Sequence, residues 1–129
     1  MNIKGNKITV QKTQEETFNF LSELKNFEQL MPDSIQKFEV DGDSFVFGLK
    51  GMPEIRLVLK DKTPFSKVVL GAASSKLSFQ LVADIAALTD ASSEVEIVFD
   101  GEFNKMMEMM VKKPLTSFIE TLTANLSKV

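Results

Sequence analysis

The stretch from Phe103 to Val129 constrains the fold more than any other part of the chain. Leu115, Phe118, Ile119, Leu122, Leu126 and Val129 recur at three- and four-residue spacing, the mark of a helix with one buried face. Phe103, Met106, Met107, Met110 and Val111 recur in the same way. At about 100° per residue the two stripes are out of register by roughly one residue, and Pro114 sits at the change. A proline inside a helix removes one hydrogen bond and clashes with the turn before it, so it kinks or breaks the helix there. The sequence therefore predicts a long helix from Asn104 to Ser127, kinked between Val111 and Leu115 so that both stripes face one partner. Such a stripe needs a cover, and the rest of the chain supplies mostly strands.

Two segments alternate cleanly. Leu77, Phe79, Leu81, Ala83 and Ile85 are apolar against Ser78, Gln80, Val82 and Asp84. Val95, Ile97, Phe99, Gly101 and Phe103 stand against Glu94, Glu96, Val98, Asp100 and Glu102. A period of two marks a strand with one face buried. The same period begins at Ile35, with Phe38 and Val40 before a hairpin signal at Asp41-Gly42-Asp43. Phe45, Val46, Phe47 and Leu49 follow, then a turn at Gly51-Met52-Pro53. Ile55, Leu57 and Leu59 form the next strand, closed by Lys62-Thr63-Pro64. Val68 to Leu70 make a short strand, ended by Gly71 and the small residues Ala72 to Ser75.

The N-terminal part differs. Ile3 to Val10 reads as an edge strand with Gly5 a candidate bulge. Thr13-Gln14-Glu15-Glu16 is a capping box, opening a helix to about Lys25 with Phe18, Leu21 and Leu24 on one face. Asn26, with Gln29 three residues on, reads as the cap of a second short helix that carries Phe27, Leu30 and Met31 and ends at Pro32.

The order is one strand, two short helices, six strands and one long helix. Short turns between successive strands imply antiparallel neighbours, and one apolar face per strand implies a sheet covered on one side. The reading is α+β: a single domain over 1–129, with a curved seven-stranded antiparallel sheet wrapped around the C-terminal helix.

Composition narrows the chemistry. The chain has no His, Cys, Trp or Tyr. Imidazole bases, thiol nucleophiles, a Ser-His-Asp triad, disulfides and a His/Cys zinc site are thereby excluded. The net charge of −3 gives no nucleic-acid footprint, and no apolar run reaches membrane-span length. Met1 to Val10 lacks the apolar core of a secretory signal, so a cytoplasmic location is expected. No catalytic residue, metal site or cofactor is expected.

The element order and the block Phe18-x-Phe20-Leu21, Asn26-Phe27, Leu30-Met31-Pro32 resemble the helix-grip superfamily. That superfamily, often labelled SRPBCC, holds START lipid-transfer domains, birch-pollen-allergen-like proteins, polyketide cyclases and a group associated with carbon monoxide dehydrogenase. The resemblance implies a cavity between sheet and long helix that holds apolar small molecules. Family enzymes place polar side chains in that cavity, and this chain lacks the His, Tyr and Trp among them.

Candidate wall residues are Phe45, Phe47, Leu57, Phe79, Leu81 and Phe99 from the strands and Phe118 from the helix, with Met106, Met107 and Met110 at the mouth. Methionine suits surfaces that adapt to different apolar shapes. The simpler reading is that these residues fill a core. Met109 lies off both stripes. Glu94, Glu96, Asp100 and Glu102 form an acidic comb on a solvated sheet face, and Arg56 is expected outside. Three classes of function stay open. The first is non-catalytic binding of an apolar or amphipathic small molecule, as carrier or sensor. The second is a cyclase/dehydratase-like enzyme, and the third a protein-interaction module resembling chaperone-activator domains. The inward positions hold Phe, Leu, Ile, Val and Ala, which favours binding over chemistry, with the ligand neutral or its charged head at the mouth. Monomer and homodimer both remain open.

Overall fold

The two cleanest alternating segments form the centre of a hairpin. In a computed structural model, which describes residues 1–33, 35–49, 54–72 and 78–129, Ser78–Ala87 pairs antiparallel with Ser93–Glu102 over its whole length. Leu81 stands opposite Phe99, Ala83 opposite Ile97 and Ile85 opposite Val95, and all six are buried. Their intervening neighbours Gln80 and Asp84 are exposed. The period of two has become one apolar face and one wet face.

In chain order the strands are β1 (Asn2–Lys4), β2 (Ile8–Val10), β3 (Lys37–Asp41), β4 (Ser44–Gly48), β5 (Ile55–Thr63), β6 (Lys67–Ala72), β7 (Ser78–Ala87) and β8 (Ser93–Glu102). They form one sheet in the order β1-β8-β7-β6-β5-β4-β3, with β2 also on β8. Seven strands were expected and eight are present among the described residues, because β1 and β2 are one edge strand interrupted at Gly5 to Lys7. The Gly5 amide still donates to the Ile97 carbonyl at 2.9 Å. A Cβ on Gly5 would stand 2.5 Å from Thr123 Oγ1, so the break also lets the C-terminal helix lie against the strand. The β3–β4 hairpin turns at Gly42, whose φ of 60° suits glycine. In β5 the register on β6 shifts between Leu59 and Asp61, a bulge of the kind a curved sheet needs. The expected turns at Gly51-Met52-Pro53 and Ala73 to Ser75, and Leu77, lie outside the described residues.

Helix α1 (Gln14–Ser22) opens on the predicted capping box: the Glu16 amide donates to Thr13 Oγ1 at 3.1 Å and the Thr13 amide to Glu16 Oε1 at 2.9 Å. It buries Phe18 and Leu21. A buried Thr17–Ser93 hydroxyl pair at 2.8 Å ties it to β8. The second short helix is a 3-10 helix, Leu24–Leu30, and it starts two residues earlier than the expected cap at Asn26. Asn26 instead donates its side-chain amide to the Phe20 carbonyl at 3.0 Å, satisfying the end of α1.

Helix α2 (Lys105–Leu126) lies on the buried face of the sheet, capped by Asn104, whose Oδ1 accepts from the Met107 amide at 2.8 Å. Leu115, Phe118, Ile119, Leu122 and Leu126 are all buried against the strands. Asn125 Nδ2 donates to the Leu30 carbonyl at 2.9 Å and fixes the helix end to the 3-10 helix. The first stripe does not come inward as a whole. The helix continues through Pro114, with Met106 75% and Met110 55% exposed and Met107 only half-buried. Helical geometry explains this: Met110 and Met106 stand roughly 140° and 180° round from Leu115. Val111, about 40° away, is buried, and Phe103 and Met107 pack half-buried against the core. No helix among the described residues is long and apolar enough to cross a membrane.

Candidate ligand-binding site

The strand residues proposed as walls lie together on the inner face. Phe45, Phe47, Leu57, Phe79, Leu81 and Phe99 are all buried, and so is Phe118 on the facing helix. They divide into two aromatic clusters. In the first, Phe45 stacks on Phe27 at 5.3 Å and neighbours Phe47 at 6.0 Å, and Phe47 stacks on Phe118 at 4.7 Å. In the second, Phe79 and Phe99 stack at 5.6 Å, with half-buried Phe103 against both. Phe27 on Phe45 and Phe118 on Phe47 are ring contacts between helix and sheet. Among the described residues, Leu21, Phe27, Leu70, Leu81, Ile97 and Leu122 border a void of about 10 Å3, at the threshold for a single water, with apolar walls.

Space of ligand size opens beside this layer. A groove of about 360 Å3 runs along the flank of α2, lined by Pro32, Leu49, Lys113, Pro114, Ser117, Phe118 and Thr121. Each element contributes for a local reason. Pro32 ends the segment after the 3-10 helix, and Leu49 follows the last paired residue of β4. On α2, Lys113, Ser117 and Thr121 are four residues apart and form one polar stripe beside Phe118. Pro114 has no N–H, so the Met110 carbonyl lacks its ordinary intrahelical donor. The groove thus has an apolar floor and one wall carrying a cation and two hydroxyls. Phe118 belongs both to this floor and, through Phe47, to the inner aromatic cluster.

Of the residues singled out from sequence, Phe118 lines the groove and Phe47 lies against it. Met110 precedes Pro114 by one turn on the same side of the helix. The others pack inside, apart from Met106, which stands in solvent, and half-buried Met107. Lys113, Ser117 and Thr121 were missed. Their signal was the four-residue polar spacing directly beside the apolar stripe.

The polar outer face offers a second depression, about 370 Å3, bordered by Lys7, Ser66, Lys67, Asp84, Glu94 and Glu96 among others. Lys67 pairs with Asp84 at 3.6 Å, both about half-exposed, as on an ordinary solvated sheet face. Arg56 is likewise outside and donates to Ser44 Oγ at 2.8 Å. Among the described residues no group of three or more Asp and Glu is placed to hold a metal ion.

No protein-family model matches the chain, and no curated protein matches it in sequence. Solved structures do match in fold. Norcoclaurine synthase from Thalictrum flavum, in complex with dopamine and hydroxybenzaldehyde, superposes with a TM-score of 0.73 at 11% identity, over 99% of this chain and 84% of that one. A START superfamily protein from Mycobacterium smegmatis superposes with a TM-score of 0.67 at 10% identity, over 98% and 94% of the two chains. A conserved protein from Geobacillus kaustophilus gives 0.69 at 14% identity, over 99% and 93%. With its long C-terminal helix held by a curved antiparallel sheet, the chain has the helix-grip fold that it shares with the START superfamily protein and norcoclaurine synthase.

Proposed function

We propose that the protein binds an amphipathic small molecule without transforming it, as a carrier or sensor. The observation that carries this reading is the flank groove, with apolar Pro32, Leu49, Pro114 and Phe118 below and Lys113, Ser117 and Thr121 on one wall. An apolar body would lie on Phe118 and Leu49, with Met110 able to adapt to its end. A carboxylate or other anionic head would sit at Lys113, near water, where a charge needs no deep burial. The two hydroxyls would add hydrogen bonds to that head. That the fold can hold small molecules is supported by the norcoclaurine synthase complex with dopamine and hydroxybenzaldehyde. Among the described residues no carboxylate borders the groove, and Lys113 is assigned to holding the anionic head.

Titration with a fluorescent fatty acid tests it. Ser117 is exposed, so Ser117→Trp should leave the fold intact, fill the groove and abolish binding. Lys113→Glu should weaken the fatty acid by about tenfold and leave a neutral alcohol of the same length nearly unaffected. Undiminished binding by Ser117→Trp would refute the assignment of this groove.

A further inference from the structure

Three methionines stand in solvent on the first two turns of α2. Met106, Met109 and Met110 are 75%, 82% and 55% exposed. Their spacing of three and four places them on one outward face. Neither core packing nor the groove accounts for Met109. Lys105, Lys112 and Lys113 are exposed on the same segment. Helical geometry puts Lys113 among the methionines, and Lys105 and Lys112 beside Met109. Glu108, the acid of this segment, is half-buried and turned roughly 100° or more from all three methionines.

We infer that this face docks on an anionic lipid surface. Its chemistry is that of an interfacial helix, with apolar side chains to enter the headgroup layer and lysines to meet lipid phosphates. Glu94, Glu96, Asp100 and Glu102 are on β8, with Glu94 and Glu96 bordering the outer depression, whereas α2 covers the inner face. These four carboxylates are therefore turned away when the methionines face an anionic bilayer. A second copy fits less well. Pairing this face with itself would set lysines against lysines. Three methionine side chains also fall well short of the roughly 800 Å2 per partner that a stable protein interface buries.

The test is co-sedimentation of the full chain with vesicles of phosphatidylcholine alone and of phosphatidylcholine mixed with phosphatidylglycerol. Binding to the anionic vesicles should be at least ~10-fold stronger and should weaken as salt is raised. Met106→Asp combined with Met109→Asp should reduce it by ~10-fold or more, and Lys105→Glu by several-fold. Leu88→Asp, at an exposed apolar residue outside this patch, should leave it unchanged. No binding to either vesicle would overturn the inference and leave an acidic protein partner as the occupant. Binding that ignores the methionine changes would overturn it too.

Discussion

The Phe118 ring lies flat on Phe47, with centroids 4.7 Å apart and planes 8° from parallel. One ring comes from α2 and the other from β4, so this stack is a direct join between helix and sheet. It also separates the inner aromatic cluster from the flank groove. The same contact therefore bears on stability and on the depth to which a ligand can enter.

Phe118→Ala should cost about 3–5 kcal/mol, because the ring is 3% exposed and its removal leaves a void that close-packed neighbours fill only in part. Urea unfolding measures this. The enlarged groove should bind a longer apolar probe than wild type does. A cost below about 1 kcal/mol would mean the helix and sheet are not joined by this stack.

Gly5→Ala is expected to destabilise by about 1–3 kcal/mol, through the close approach of the new Cβ to Thr123 Oγ1. Thr123→Ala should recover part of that loss in the double variant, a coupling that two independent sites would not show. Alone, Thr123→Val should raise stability by about 1 kcal/mol, since the buried Thr123 hydroxyl has no hydrogen-bond partner among the described residues. Thermal unfolding of the four variants separates these effects.

Pro114→Ala restores a donor for the Met110 carbonyl and removes a ring from a helix interior. A gain in stability of up to about 3 kcal/mol is expected. The groove would lose part of its apolar lining, so probe binding should weaken while the melting temperature rises.

Acid unfolding should report the α1 cap. The Thr13 amide, with the Thr13 hydroxyl and the Lys12 charge adding to it, holds the Glu16 carboxyl below its ordinary value of 4.5. A depressed carboxyl contributes stability that is complete above the unfolded-state value and is lost as pH falls through the folded-state value. Glu16→Gln keeps an acceptor for the Thr13 amide and removes the titration. Its stability should depend less on pH below about 4.5 than wild type's, and stay close to wild type's at neutral pH.

The sheet was legible wherever each strand has one wet face. β7 and β8 could be paired from alternation alone, and the capping box of α1 from Thr13 and Glu16. Gly5 was legible as an irregularity, although its closeness to Thr123 was not, since that depends on where a helix more than a hundred residues later comes to rest. The methionine stripe shows the limit of periodicity. Spacing tells which side chains share a helix face, and it does not tell whether anything covers that face. Met106 and Met110 obey the period and stand in water, because Pro114 did not rotate the first turns toward the sheet. The groove was hidden for the opposite reason: Lys113, Ser117 and Thr121 look like an ordinary solvated stripe until Pro32 and Leu49 close the other side.

The edge formed by β1 and β2 has a consequence in time. Asn2 pairs with Asp100 and Ile8 with Val95, so the first strands of the chain find their partner in the last. During synthesis the N-terminal segment must wait, unpaired, until β8 has emerged. The contacts that finish the sheet join residues far apart in the sequence, and closing so long a loop is the slow kind of event in folding. Folding should therefore begin in the local β6–β7–β8 meander and end with the N-terminal edge, on the slower side for a domain of this size.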